Sequence, residues 1–174
     1  MSNIMVDLET MGKGSMAAII AIGAVKFNSK GLGQEFYAIV NLESSVKNGM
    51  VIEPDTVMWW MKQSDEARSE FAKGTETLFS ALQGFAKFVG DRHSVKVWGN
   101  GASFDNVILD NAYQLNNLDT PWMFWNNMCY RTIKNLLGGS IKMERTGDHH
   151  NALDDAKSQA EHLIRMLAAL KGAE

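Results

Sequence analysis

A single cysteine, Cys129, stands in a chain of 174 residues, and a lone thiol excludes both an internal disulfide framework and a multi-cysteine zinc centre. Any metal must be held by carboxylates or histidine. Proline is equally scarce, two residues against 15 glycines, which excludes a collagen-like chain or a long rigid linker. No repeat of 20 to 50 residues and no low-complexity tract is found. Long apolar runs are missing too. The longest, Met16 to Val25, contains Gly23 and is too short to span a bilayer. The start, Met1 to Ile4, lacks the basic flank and cleavage site of a secretory leader. The expectation is a cytoplasmic protein with no membrane partner. What the chain does have is core material: 45% apolar residues, with eight Phe and five Trp, enough for one domain over residues 1–174.

Strong positive charge is also lacking. With 17 Lys and Arg against 20 Asp and Glu the net charge is −3, which at first argues against a polyanionic partner. The inference depends on where the acids sit. If four of them bind metal, the remaining −3 becomes +1, and charge alone then decides nothing.

Hydrophobic patterning predicts strands from Asn3 to Asp7, Ala17 to Phe27 and Glu35 to Leu42, the last two joined by the turn-like Asn28-Ser29-Lys30-Gly31. Helical spacing begins at Pro54, with Val57, Trp60 and Met61, and returns from Thr75 to Val89, where Leu78, Phe79, Leu82 and Phe85 recur. A strand Val95 to Trp98 leads into a helix from Ser103, a candidate cap, to about Leu115. A short strand Trp122 to Trp125, a short helix Arg131 to Leu137 and a polar loop Gly138 to Gly147 follow. From Asn151 to Leu170 an apolar stripe of Leu153, Ala156, Ala160, Leu163 and Leu167 marks a long helix. Strands in hairpins, then strands alternating with helices, predict an α/β domain with one mixed sheet covered by helices.

Three acidic motifs lie on these elements. Asp7-Leu8-Glu9 closes the first strand, and a period of two turns both carboxylates to one face. Asn100-Gly101-Ala102-Ser103-Phe104-Asp105 follows a strand and places Asp105 at a helix N-terminus, where backbone dipoles favour negative charge. His149-His150-Asn151-Ala152-Leu153-Asp154-Asp155 enters the last helix. At 100° per residue Asp154 shares a charged stripe with Ser158, Glu161 and Arg165, whereas Asp155 shares the border of the apolar face with Ala152, Gln159 and Met166. Asp155 is therefore the inward acid. Taken singly, each motif reads as readily as a solvated strand end, a dipole-stabilising Asp or a histidine bonded to backbone; His93, His149 and His162 keep that plain reading.

In this order and context, Asp-x-Glu, Asn-x-x-x-Phe-Asp and His-x4-Asp, the chain resembles the DEDDh branch of the proofreading-type (DnaQ-like) 3′-to-5′ exonucleases from Asp7 to Asp155. Within that superfamily Pro54-Asp55-Thr56-Val57-Met58-Trp59-Trp60-Met61-Lys62-Gln63 is similar to the exodeoxyribonuclease VIII-like subgroup, small enzymes of bacteria and phages, some described as exoribonucleases. The segment Cys129-Tyr130-Arg131-Thr132 departs from an Asp-containing version associated with that subgroup.

The resemblance implies an RNase H-like mixed five-stranded sheet flanked by helices, and hydrolysis of single-stranded DNA or RNA from its 3′ end to nucleoside 5′-monophosphates. Four carboxylates without cations would repel one another. Oxygen ligands select hard ions, so two Mg²⁺ or Mn²⁺ are expected. By analogy Asp7 bridges both ions, Glu9 and Asp155 complete one site, and Asp105 helps hold the other. His150 takes the role of general base, its reference pKa near 6.5 suiting neutral pH. In related enzymes the backbone matching Thr10 meets the terminal 3′-hydroxyl and a bulky side chain, here Met11, wedges against the base. Trp59 and Trp60 lie about 100° apart on a helix; one packs and the other is placed to stack on a base, with plain core packing the alternative for either. Lys13 is a candidate phosphate contact or an ordinary loop cation, and Lys142, Arg145 and the neighbouring glycines read either as a stretch that closes over bound nucleic acid or as a plain surface loop. A homodimer is implied as well. An RNase H-like endonuclease and a non-catalytic nucleic-acid-binding domain are the competing readings.

Overall fold

The computed structural model describes residues 2–137, 139–144 and 150–172. Its centre is a five-stranded sheet in the order β3-β2-β1-β4-β5. Strand β1 (Ser2–Thr10) pairs antiparallel with β2 (Ile19–Asn28), which turns at Lys30 into antiparallel β3 (Gly31–Ile39). On its other side β1 is parallel to β4 (Val95–Gly99), and β4 is parallel to the three-residue edge strand β5 (Asn127–Cys129). The sheet is thus mixed and flanked by helices, as expected. Asp7 lies opposite Gly23 and Glu9 opposite Ala21, and the register slips between Glu9 and Thr10, turning the chain just beyond the two acids.

Alternation along β1 sorts its side chains into two environments. Ile4, Val6 and Leu8 join the larger core with Leu82 and Phe85 from α4 (Leu78–Val89) and with Ile108 and Leu109 from α5 (Asp105–Leu115). Met5 faces the other layer, where Trp98, Tyr130, Ala156, Ala160 and Leu163 pack together. Asp7 and Glu9 continue the Met5 face towards the C-terminal end of β1, beneath the final helix, Ala152–Lys171. Burial of each large apolar side chain contributes about 1.5–3 kcal/mol, so the two cores press both helix layers onto the strand that carries the acids.

Three short helices complete the chain before β4: α1 (Leu42–Lys47), α2 (Pro54–Trp60) and α3 (Asp65–Ala72). After β5 come α6 (Tyr130–Leu136) and the last helix, α7 (Ala152–Lys171). Pro54 occupies the first turn of α2, where its missing N–H costs nothing. Asn151 caps α7 by accepting hydrogen bonds from the N–H groups of Leu153 and Asp154 at 3.1 and 3.2 Å. A Cβ on Gly23 would lie 2.1 Å from the carbonyl carbon of Ala152. The start of α7 therefore rests directly on the β2 backbone, which fixes the height of Asp155 over the sheet.

Several predicted elements are displaced. Residues 122–125 are no strand: Phe124–Asn126 form a 3₁₀ turn and pairing starts at Asn127. The buried Trp122 indole N–H donates to Asn127 Oδ1 at 2.8 Å, so the segment folds back on its own side chain instead of extending. Ser103 does not cap α5; Phe104 holds the cap position without a side-chain bond, and the first-turn Asp105 receives backbone donors itself. The third strand ends at Ile39, since Asn41 accepts from the Ser44 N–H and starts α1. Phe79 is exposed, and Ala81 takes its expected place in the buried face of α4.

Candidate active site

The three acidic motifs, up to 148 positions apart, meet at the C-terminal end of β1. Asp105 is 2% exposed; its Oδ1 accepts from the Leu8 N–H at 3.2 Å and its Oδ2 from the Asn100 N–H at 3.0 Å. The first of these bonds ties the start of α5 to β1 between Asp7 and Glu9. A Cβ on Gly99 would lie 2.9 Å from Asp105 Oδ2 and 2.5 Å from Asn106 Oδ1, so only glycine leaves the carboxylate this berth. From the opposite layer α7 brings Asp155 over the sheet, and one turn later Gln159 Nε2 donates to Asp7 Oδ1 at 2.7 Å.

Glu9, His150 and Asp155 present ligand atoms that all lie within 4.8 Å of one another. Asp154, the neighbouring acid, points towards Lys157, whose Nζ is 4.0 Å away and also pairs with Glu35 at 3.3 Å. The helical-wheel distinction between the two aspartates agrees with this placement.

Burial makes the gathering electrostatically costly. Desolvation, followed by repulsion from Asp105, Glu9 and Asp155, raises the Asp7 pKa well above the usual carboxylate range, although the Gln159 amide works against it. Glu9 is pushed up to about 8 by burial, then by Asp155 and Asp105. Burial lifts Asp105 to about 7 despite the backbone donors of Leu8 and Asn100 and the positive Arg131, all of which pull it down. Carboxylates crowded in this way suit a hard divalent cation, which supplies the compensating charge and prefers oxygen donors.

Beside Glu9 opens a cleft of about 330 Å³ lined by Glu9, Thr10, Lys13, Thr56, Trp59 and Trp60, among others. Trp60 is 4% exposed and its indole N–H donates to the Thr10 carbonyl at 2.9 Å, whereas Trp59 is 42% exposed. One tryptophan of the pair is therefore packed and the other open to the cleft. Thr10 is buried, its hydroxyl donating to the Gly12 carbonyl at 2.7 Å. Met11 is half-buried against the larger core, its backbone bonded to Ala18 and Glu53. Lys13 is exposed at the rim. Arg145 and His149 lie outside the described residues, and Lys142 offers its carbonyl to Arg165 at 3.2 Å. His162 is buried, its Nδ1 2.7 Å from the Tyr130 hydroxyl, and keeps the structural role expected of it.

Two residues of the site were missed by sequence reasoning. Gln159 carried a signal, since it shares the Asp155 face one turn on, but no spacing rule names Asp7 as its partner. Arg131 carried none. It reaches back from α6 to donate to the Asn100 carbonyl at 2.6 Å, a contact between segments 31 residues apart.

The family profile described as a 3′-5′ exoribonuclease Rv2179c-like domain matches residues 2–167. The exodeoxyribonuclease of Enterobacteria phage T4 is 31% identical over 165 residues, covering 76% of this chain and 70% of that protein. Among solved structures, the nuclease domain of 3′hExo, a DEDDh family member bound to rAMP, superposes with a TM-score of 0.67 at 15% identity, covering 97% of this chain and 92% of that one. Exonuclease I of E. coli in complex with a dA16 oligonucleotide gives 0.65 at 14%, covering 98% of this chain but 43% of that one. The sequence matches define a 3′-5′ exonuclease, and the superposition gives it the RNase H-like fold of the DEDDh nuclease domain. The chain belongs to the 3′-5′ exoribonuclease Rv2179c-like domain family. Among the described residues no helix is long and apolar enough to cross a membrane.

Proposed function

We propose that the chain is a single exonuclease domain that removes nucleoside 5′-monophosphates one at a time from the 3′ end of single-stranded nucleic acid, with Asp7, Glu9, Asp105 and Asp155 holding two Mg²⁺ or Mn²⁺ ions. The observation that carries this reading is the convergence of four carboxylates, among which burial raises Asp7, Glu9 and Asp105 and repulsion from neighbouring acids adds to the shift of Asp7 and Glu9. The donor set fits the ions. It is oxygen-rich, charged, and lies where a cation relieves the repulsion. Such ions, when bound, offset the charge that builds on the attacking and departing oxygens of a phosphoryl displacement.

The chain's own groups do the rest. Asp7 is oriented by the Gln159 amide, and Asp105 by the N–H groups of Leu8 and Asn100, so neither carboxylate has to reorganise when substrate arrives. His150, beside Glu9 and Asp155, takes the proton of the attacking water as general base. The terminal nucleoside enters the cleft, where the backbone around Thr10 meets its 3′-hydroxyl, Met11 wedges against the base, and the exposed Trp59, backed by the packed Trp60, is placed to stack on it. The working protein is read as a cytoplasmic homodimer, a state that light scattering tests directly.

The family description names RNA and the phage relative's name DNA, so matched strands of both belong in the test. A 5′-labelled oligonucleotide incubated with Mg²⁺ should shorten stepwise from its 3′ end, and EDTA should stop it. Internal cuts would instead support an endonuclease, and retention without hydrolysis a binding domain.

A further inference from the structure

Helix α2 contributes no acid to the carboxylate cluster, yet two of its side chains meet His150. The Trp59 ring centroid lies 5.0 Å from the imidazole at an interplanar angle of 87°, and the Trp60 centroid 5.8 Å away at 78°. The two indoles are themselves 4.8 Å apart at 76°. Three rings therefore stand edge to face around one another, an arrangement that the aromatic quadrupole favours.

Trp60 ties the trio to the body of the domain. Trp60 is 4% exposed, packs against Phe71 at 4.3 Å, and donates its indole N–H to the Thr10 carbonyl at 2.9 Å. Thr10 is the residue after Glu9 on β1, so the hydrogen bond fixes the aromatic wall to the strand that carries Asp7 and Glu9. The wall meets His150 at a distinctive point of the chain. The His150 backbone has φ +65°, a left-handed conformation that a residue with a Cβ adopts at a cost, one residue before the Asn151 cap of α7. Edge-to-face contact with two indoles narrows the orientations open to the imidazole.

We propose that Trp59 and Trp60 are positioning residues for His150, holding its imidazole towards Glu9 and Asp155, with Trp60 transmitting the position of β1 and Trp59 closing the exposed side. The inference rests on the reading of His150 as general base. It gives Trp59 a task distinct from base stacking, and the two are separable because a stacking contact acts on substrate affinity whereas an orienting contact acts on turnover.

The test is a double-mutant cycle with Trp59→Ala, His150→Ala and the combined variant, following a 5′-labelled oligonucleotide with Mg²⁺. Trp59 is partly exposed, and thermal melts verify that each variant folds. Positioning predicts that Trp59→Ala lowers kcat by about 10-fold with little change in KM, and that Trp59→Phe, which keeps a ring, restores most of the loss. In the His150→Ala background the same substitution should have no further effect on kcat. A Trp59→Ala effect confined to KM, or of equal size in both backgrounds, overturns the proposal. A readout independent of activity is the NMR resonance of the His150 ring, which the neighbouring indoles displace; it should move towards its solvent position in Trp59→Ala, and an unmoved resonance overturns the proposal too. If His150→Ala turns over normally, the general-base reading fails, and this resonance still decides whether the tryptophans hold the ring.

Discussion

Gln159 and Asp7 are 152 positions apart, yet the side-chain amide of one donates to Oδ1 of the other across 2.7 Å. The bond joins the last helix to the first strand at the centre of the acidic cluster and lowers the Asp7 pKa against the larger effects of burial and neighbouring acids. It also occupies one oxygen of Asp7, a carboxylate proposed above to hold a cation.

Replacing Gln159 by Leu should therefore cost metal affinity before it costs stability. Loss of an outer hydrogen bond to a ligand typically weakens metal binding by about 10- to 100-fold. Titration calorimetry with Mn²⁺ measures this directly, and raising the Mg²⁺ concentration should recover part of the activity. Unaltered Mn²⁺ affinity would remove Gln159 from the cluster's support.

The two adjacent aspartates of α7 should behave oppositely. Asp155→Asn is expected to abolish detectable Mn²⁺ binding and reduce kcat by a factor of 10³ or so. Asp154→Asn weakens a long pairing with Lys157 and should leave activity within about 2-fold, since surface ion pairs contribute about 0–1 kcal/mol. Side-by-side nuclease assays of the purified variants decide the matter; the reverse ranking would place the wrong acid in the site.

Stability of the metal-free protein should fall as pH rises. Glu9 moves from 4.5 to about 8 on folding, Asp105 from 3.8 to about 7, and Asp7 upward as well, so the folded state binds more protons than the unfolded chain in between. The contribution of these groups is complete below pH 4 and is lost as pH climbs through about 7 to 8. Thermal melts in EDTA between pH 5 and 8.5 should show a decreasing Tm, and Mn²⁺ should flatten the slope. By the same logic Glu9→Gln should raise Tm at pH 8 in EDTA while abolishing nuclease activity. A Tm that rises with pH in EDTA would contradict the repulsion argument.

Gly23→Ala tests how α7 is seated. With a Cβ only 2.1 Å from the Ala152 carbonyl carbon, the backbone of one element must move away from the other. A loss of about 3 kcal/mol is expected for overpacking of this kind, or a Tm decrease of roughly 6–12 °C. Activity should fall as well, because the displaced helix turn leads into Asp155. A variant with the parent's Tm would show that the two backbones separate at little cost.

Sequence periodicity was most informative where one element carried the whole signal. Asp7 and Glu9 share a face by alternation along a strand, and Asp155 is set apart from Asp154 by the helical repeat. Short elements escaped for lack of pattern. In α1, Leu42–Lys47, Ser45 is the one buried residue, and α3, Asp65–Ala72, is too polar to show a stripe. The aromatic run at Trp122 to Trp125 read as a strand because β-propensity favours such residues, but the bond from the Trp122 indole to Asn127 bends the chain there. The site's supporting contacts were hidden for another reason. Arg131 with Asn100, Trp60 with Thr10 and Gln159 with Asp7 join segments that no repeat relates.

The amino-acid order by itself determined the kinds of element, the order of the acidic motifs and the face on which each acid lies, because those follow from local geometry with periods of 2 and 3.6. Tertiary structure decided how closely the acids crowd, which side chains steady them and where the tryptophans meet His150. Those properties depend on the strand order β3-β2-β1-β4-β5 and on the direct contact of α7 with Gly23. Charge repulsion and ring packing vary with distances of a few ångströms, and only the packed sheet and helices set such distances.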